Sequence, residues 1–268
     1  MKKKKLSTAI SFILLAIAAI CGFFYYSECS TAQKEVAEYV EVQSSYTTML
    51  TESIKNGNPA DYGALPETAG LPYAVVDFDA LLLANLETVG WLAIPDTDIS
   101  YPVLQTKNNS KYLSTSFGGG RSGAGAIFMD YNNSAEPLDS NTILYGHTMG
   151  RGRADMFGPL HQYKDQAYYE THAYLQFDTV HQQYGWWKVF AVVNLDVKMS
   201  EFDYLQQNFQ GEVAFEAWIA QAKALSLYDT DVDVSTGDKI LTLSTCDRSV
   251  SKNGRLLIMA VWVGRGTP

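Results

Sequence analysis

Past residue 29 the chain has a single cysteine, Cys246, at the end of the run KILTLSTC (239–246). The β-branched and apolar residues of that run read as a strand. Residues 247–254 make a turn, and a second strand-like run, RLLIMAVWV, starts at Arg255. A hairpin brings the last residue of one strand beside the first of the next. If Cys246 pairs with Arg255, a thiol and a guanidinium project from the same face. The guanidinium keeps its charge and offers several donors in a fixed fork. Such a neighbour favours thiolate over thiol. The same donors can hold the oxyanion of a tetrahedral acyl intermediate. Two plainer readings stay open on these residues alone: Cys246 as a small buried hydrophobe, and Arg255 as a surface arginine at a strand start.

A cysteine nucleophile also needs a proton acceptor and donor. The histidines are His147, His161, His172 and His181. His147 closes the strand-like NTILYGH (141–147) and leads into Thr148-Met149-Gly150, a strand-to-loop exit. By position it is the first candidate. His161 falls in a predicted helix, and His172 and His181 flank a strand expected to be exposed, so these three read as solvated. The other cysteines, Cys21 and Cys29, lie at the N-terminal end. The globular part therefore has no disulfide framework and no zinc site built on several cysteines. No acidic cluster reads as a calcium site.

Elements must position these residues. From Trp91 onward eight short runs alternate with turns: WLAIP, ISYPVLQ, GAIFMDY, NTILYGH, AYLQFDT, YGWWKVFAVVNLDV, KILTLST and RLLIMAVWV. Helical stretches are expected over Leu81–Leu86, Ala154–Tyr163 and Glu212–Leu225. In the last, Phe215, Trp218, Ile219, Ala222 and Leu225 share one face, a core-packing stripe. The reading is a mainly β domain, a closed barrel with helices laid on it.

The N-terminus reads MKKKKLSTAISFILLAIAAICGFFYYSE. Four lysines (residues 1–5) precede an apolar run over residues 6–26. About 20 helical residues span a hydrocarbon core, so this is read as an uncleaved signal-anchor. The lysines stay cytoplasmic, and everything after Tyr26 lies outside. Residues 27–76 read as a stalk with an N-terminal helix and a linker, and 77–268 as the catalytic domain. The formal net charge is −9; without Lys2–Lys5 the bases fall from 20 to 16 against 29 acids, a net −13. That balance excludes nucleic acid as a partner and bulk electrostatic docking on an anionic surface.

TLSTC (242–246), Arg255 nine residues on, and YGH (145–147) upstream resemble the sortase family. VGWLAIPDTDISYPVLQ, NNSKYLSTSF, GAIFMDY, ILYGHTM, MFGPLHQY and the helix 212–225 follow in the order seen in class B sortases, from about Asp77 to Val263. The resemblance implies an eight-stranded sortase β-barrel with an N-terminal helix and a long helix between strands 6 and 7. It implies Cys246 as nucleophile, His147 as general acid/base and Arg255 as oxyanion stabiliser. Ser244, Thr245, Asp247 and Tyr145 would line the substrate groove, with Asn109, Leu113 and Tyr204 also binding substrate. The implied reaction cleaves a sorting signal after Thr and joins the product to a cell-wall peptidoglycan amine through a thioacyl intermediate. An amide is exchanged for an amide, so no cofactor is implied. The implied partners are secreted proteins bearing sorting signals and a peptidoglycan precursor or cross-bridge amine. The expected enzyme is a monomer anchored in the cell membrane, its domain extracellular.

A hydrolytic cysteine peptidase is the main rival, and a pilus-assembly role is a variant of the first reading. Papain-like and NlpC-like enzymes place Cys before His, the reverse of the order here. A third reading, a wall protein that is itself anchored, rests on LPETAG (65–70). That string departs from LPxTG at Ala69, and the apolar span and lysines lie at the opposite end of the chain from where an anchored substrate needs them.

Overall fold

The computed structural model describes residues 2–49, 71–149, 155–181 and 185–264. LPETAG lies outside the described residues. Two compact units form, Met1–Glu41 and Val42–Pro268.

Helix α1 runs from Lys2 to Tyr46 without a break. The change expected near Tyr26 is therefore one of composition, not of backbone. The side chains from Ile13 to Tyr26 are exposed, and this helix is long and apolar enough to cross a membrane.

In the second unit, β1 (Thr47–Met49) pairs antiparallel with β2 (Ala74–Val76). Composition alone assigned both strands to the stalk and linker. The barrel residues Gln176 and Asp178 anchor this segment. Gln176 Oε1 accepts from the Ala74 amide at 2.9 Å, its Nε2 donates to Ala74 O at 2.6 Å, and Tyr73 Oη donates to Asp178 at 2.7 Å. Helix α2 (Phe78–Ala84) begins where the Asp77 carboxylate accepts from the Ala80 amide at 2.9 Å. That cap starts the helix three residues before the expected Leu81 and leaves Leu86 outside it.

The eight expected strands are β3 (Thr88–Ala93), β4 (Ser100–Leu104), β5 (Ile127–Met129), β6 (Asn141–Tyr145), β7 (Tyr174–Thr179), β8 (Trp186–Asp196), β9 (Ile240–Cys246) and β10 (Gly254–Gly264). They close a barrel in the order β10-β8-β7-β3-β4-β5-β6-β9. Two neighbouring pairs, β4–β5 and β6–β9, are parallel, and the rest are antiparallel. Closure leaves no strand edge exposed. Trp91, Leu92, Trp187, Val189, Leu243 and Leu256 are wholly buried.

The helix expected over Ala154–Tyr163 is shorter and tighter. A 3-10 helix spans Gly158–Lys164, followed by α3 (Gln166–Thr171). Pro159 sits in its first turn, where a missing N–H costs nothing, and Met156 just before it has a positive φ of 53°. The long helix α4 (Glu212–Leu225) lies between β8 and β9. Phe215, Trp218, Ile219 and Ala222 are buried against Phe190, Val193, Leu257 and Met259 of β8 and β10. Burying each large side chain contributes about 1.5–3 kcal/mol. Leu225, placed by periodicity on the same face, is 43% exposed because it is the last residue of the helix.

Candidate active site

The barrel topology brings three distant stretches to one end. Cys246 is directly paired with Arg255 across β9 and β10, so both side chains leave the sheet on one face. On the other side of β9, β6 runs parallel and pairs Tyr145 with Ser244. His147 lies two residues beyond Tyr145, as Cys246 lies two beyond Ser244. The exits of β6 and β9 are thus side by side, and the thiol, imidazole and guanidinium come from three adjacent strands. Cys246 is a free, half-buried cysteine.

Two glycines permit this close approach. A Cβ on Gly146 would meet Ile127 Cδ1 at 2.5 Å and the Phe157 ring at 2.7 Å. A Cβ on Gly254 would meet Asp247 O at 2.0 Å. Both lie beside a candidate catalytic residue and admit no side chain without displacing their neighbours.

Side-chain hydrogen bonds hold the β6 exit. Thr245 Oγ1 donates to Gly146 O at 2.8 Å. Thr148 Oγ1 donates to Cys246 O at 3.0 Å, and lies 2.8 Å from Thr245 Oγ1 and 3.0 Å from His161 Nε2. His147 Nε2 lies 2.9 Å from Leu113 O, which bonds it to the segment after Asn109.

His161 was expected to be solvated. Instead it is half-buried beside the Cys246 strand end. Burial and the Lys164 charge hold its pKa below the ordinary histidine value, against the opposing pull of Asp247 and the Cys246 carbonyl. His172 is also engaged: its ring stacks on Tyr168 at 3.9 Å, and Nδ1 contacts Tyr168 O. His181 pairs with Glu136 at 2.8 Å, far in sequence from the Cys246 hairpin.

The residues expected to line a substrate groove divide into two groups. Leu113 is 45% exposed and Asn109 is half-buried. Ser244, Thr245 and Asp247 are each 2% exposed, so their side chains stand inside the wall rather than on its surface. The Asp247 carboxylate is fully engaged. It pairs with Lys164, accepts from Asn194 Nδ2 at 2.9 Å, and accepts from the Ser249 amide and hydroxyl at 2.9 and 2.6 Å. Burial alone would raise its pKa, but the Lys164 and Ser249 bonds outweigh burial and hold the carboxyl well below its ordinary value.

Asp130 is a participant that the motifs do not single out. It is 3% exposed. Its Oδ2 accepts from Asn109 Nδ2 and from Tyr145 Oη, both at 2.8 Å. It therefore joins two of the expected groove residues. Burial, then the neighbouring Tyr204 and Asp130, raise the Tyr145 pKa, while Arg255 pulls it down. Burial raises Tyr204 too, opposed by Ser244 and Arg255. Both tyrosines thus lie within range of the Arg255 charge. Tyr204 is 8% exposed and packs in the α4 core. The signal for Asp130 was its place at a strand end in GAIFMDY. His161 and Thr148 had no such signal, because they meet through a side-chain bond between the 3-10 helix and the β6 exit. Among the described residues, no group of three or more His, Cys, Asp or Glu could hold a metal ion.

A family model described as "Sortase domain" matches residues 92–263. The chain is 38% identical over 175 residues to sortase B of Listeria monocytogenes, covering 65% of this chain and 69% of that protein. It is 28% identical over 259 residues to sortase B of Staphylococcus aureus, covering 97% of each. The solved structure of a Staphylococcus aureus sortase B–substrate complex superposes with a TM-score of 0.71 at 28% identity, covering 88% of this chain and 99% of that one.

Proposed function

The chain belongs to the sortase family, whose members are cysteine transpeptidases, and from that premise we propose that Cys246, His147 and Arg255 form its reacting group. The observation that carries the reading is the direct pairing of Cys246 with Arg255 beside the parallel β6 exit that bears His147. The Cys246 thiolate attacks the carbonyl carbon of Thr in a sorting signal. The Arg255 guanidinium donates to the resulting oxyanion. As the intermediate collapses, the C–N bond breaks, and the His147 imidazolium gives its proton to the leaving amine. A thioester to Cys246 remains. The now neutral His147 takes a proton from an incoming wall-peptide amine, which attacks the thioester and releases the thiolate.

Exposed Leu113 and half-buried Asn109 present the surface on which the signal lies. Tyr145, Tyr204, Ser244, Thr245 and Asp247 support that surface from behind. The apolar part of α1 holds the enzyme in the membrane, with the barrel outside and Lys2–Lys5 inside. That arrangement keeps the site near secreted substrates as they emerge.

The test is mass spectrometry of the full chain incubated with NPxTN-, LPxTG- and SPxTG-type peptides, with and without triglycine. The expected result is an adduct on Cys246 ending at the signal's Thr, and its transfer to triglycine. Cys246→Ala is expected to form no adduct and to keep its fold. Turnover by Cys246→Ala would end the nucleophile assignment. Free acid as the sole product at saturating triglycine would make the enzyme a hydrolase.

A further inference from the structure

His161 has three polar neighbours at the Cys246 end of β9. Thr148 Oγ1 lies 3.0 Å from its Nε2, and the Cys246 carbonyl and the Asp247 carboxylate both act on its charge. Lys164, one turn along the same 3-10 helix, pairs with Asp247.

Counting hydrogens assigns a direction to the Thr148–His161 bond. A threonine hydroxyl carries one hydrogen. The hydrogen of Thr245 is spent on Gly146 O. The single Thr148 hydrogen already has two acceptors within reach, Cys246 O and Thr245 Oγ1. A third acceptor would leave these half-buried oxygens short of donors. His161 therefore supplies Nε2–H to Thr148, which frees the Thr148 hydrogen for the β9 end.

We propose that His161 is a positioning residue of the transpeptidation reaction: through Thr148 it ties the loop that carries His147 to the backbone of Cys246. This rests on the reading of Cys246 and His147 as the reacting pair. His147 lies two residues beyond the end of β6, outside the barrel ladder, where the Phe157 amide donates to its carbonyl at 3.0 Å but no strand partner sets its side chain. Its neighbour Thr148 bonds to the Cys246 carbonyl, and His161 completes the bonding of Thr148. A small displacement between nucleophile and general acid lowers the rate steeply while leaving peptide binding unchanged.

The experiment uses the full chain in detergent with triglycine and whichever fluorogenic NPxTN-, LPxTG- or SPxTG-type peptide is cleaved fastest. His161→Leu is expected to lower kcat about tenfold, with KM and melting temperature unchanged. His161→Gln places an amide donor near the Nε2 position and is expected to restore most of kcat. Thr148→Val should show the same loss as His161→Leu, and the double variant no further loss. With Cys246→Ala inactive as a control, wild-type kcat in His161→Leu would overturn the proposal. So would a Gln variant as slow as the Leu variant, or a loss that follows melting temperature. Turnover by Cys246→Ala would remove the parent reading, and the role of His161 with it.

Discussion

The two halves of the candidate site are held by different means. Cys246 and Arg255 sit on paired strands of a closed barrel, and their relative position is set by backbone hydrogen bonds. His147 sits past the end of β6: the Phe157 amide donates to its carbonyl at 3.0 Å, and Thr148, Thr245, Leu113 O and the tight packing of Gly146 hold the rest of the exit. A ladder-set pair tolerates changes in side chain without moving. A residue outside the ladder, held partly by side chains, moves more readily when one of them is changed. The thiol–guanidinium half is therefore the stable half, and the imidazole half is the adjustable one.

That difference can be tested most strongly on Arg255. Arg255→Lys keeps a charge but loses the fork, and is expected to lower kcat/KM on the order of 10²–10³-fold. Its melting temperature should stay at the wild-type value. A large fall in melting temperature would show that the guanidinium holds the hairpin, contrary to a ladder-set half. Gly146→Ala probes the other half. The added methyl meets Ile127 and Phe157, which costs about 1–3 kcal/mol of stability and shifts His147, for up to about a 100-fold loss of rate. Urea unfolding and steady-state kinetics measure both. Unchanged kinetics in that variant would mean that His147 is held independently of its neighbour.

The smallest effect on rate is expected at Asp247, whose carboxylate braces the turn between β9 and β10. Its pKa is below the unfolded reference of 3.8. It therefore contributes stability above that reference, and this contribution is lost as pH falls through 3.8 toward the folded value. Asp247→Asn should unfold at lower urea than wild type at pH 7, by about 1–3 kcal/mol. As pH falls below 3.8 the gap between the two should narrow progressively. A constant gap across that range would remove the carboxylate from this account.

The same contrast explains how much could be read from the amino-acid order. The Cys246–Arg255 pairing is local, because one turn of seven residues joins two strands of clear β composition. The neighbourhood of His147 and Cys246 is not local. It depends on parallel pairing of β6 with β9, which periodicity does not reveal; only the motif resemblance pointed to it. The strand count and helix α4 follow from β-branched runs and a 3.6-residue stripe, and Leu225 departs from the stripe because a helix end frays into solvent. The small β1–β2 sheet is hidden because three-residue strands carry little pattern. His161, Asp130 and Lys164 act through side chains that meet only after the barrel closes, so type and spacing could not assign them.

The β6–β9 pairing has a further consequence. Tyr145 and Ser244 are about 100 residues apart in the chain, and contacts of such long range form slowly because a large loop must first be ordered. The thiol and the imidazole therefore meet only in a barrel that has closed. Until then Cys246 lacks the neighbour that the proposed reaction pairs it with. Assembly of the candidate site is therefore a report on completed folding.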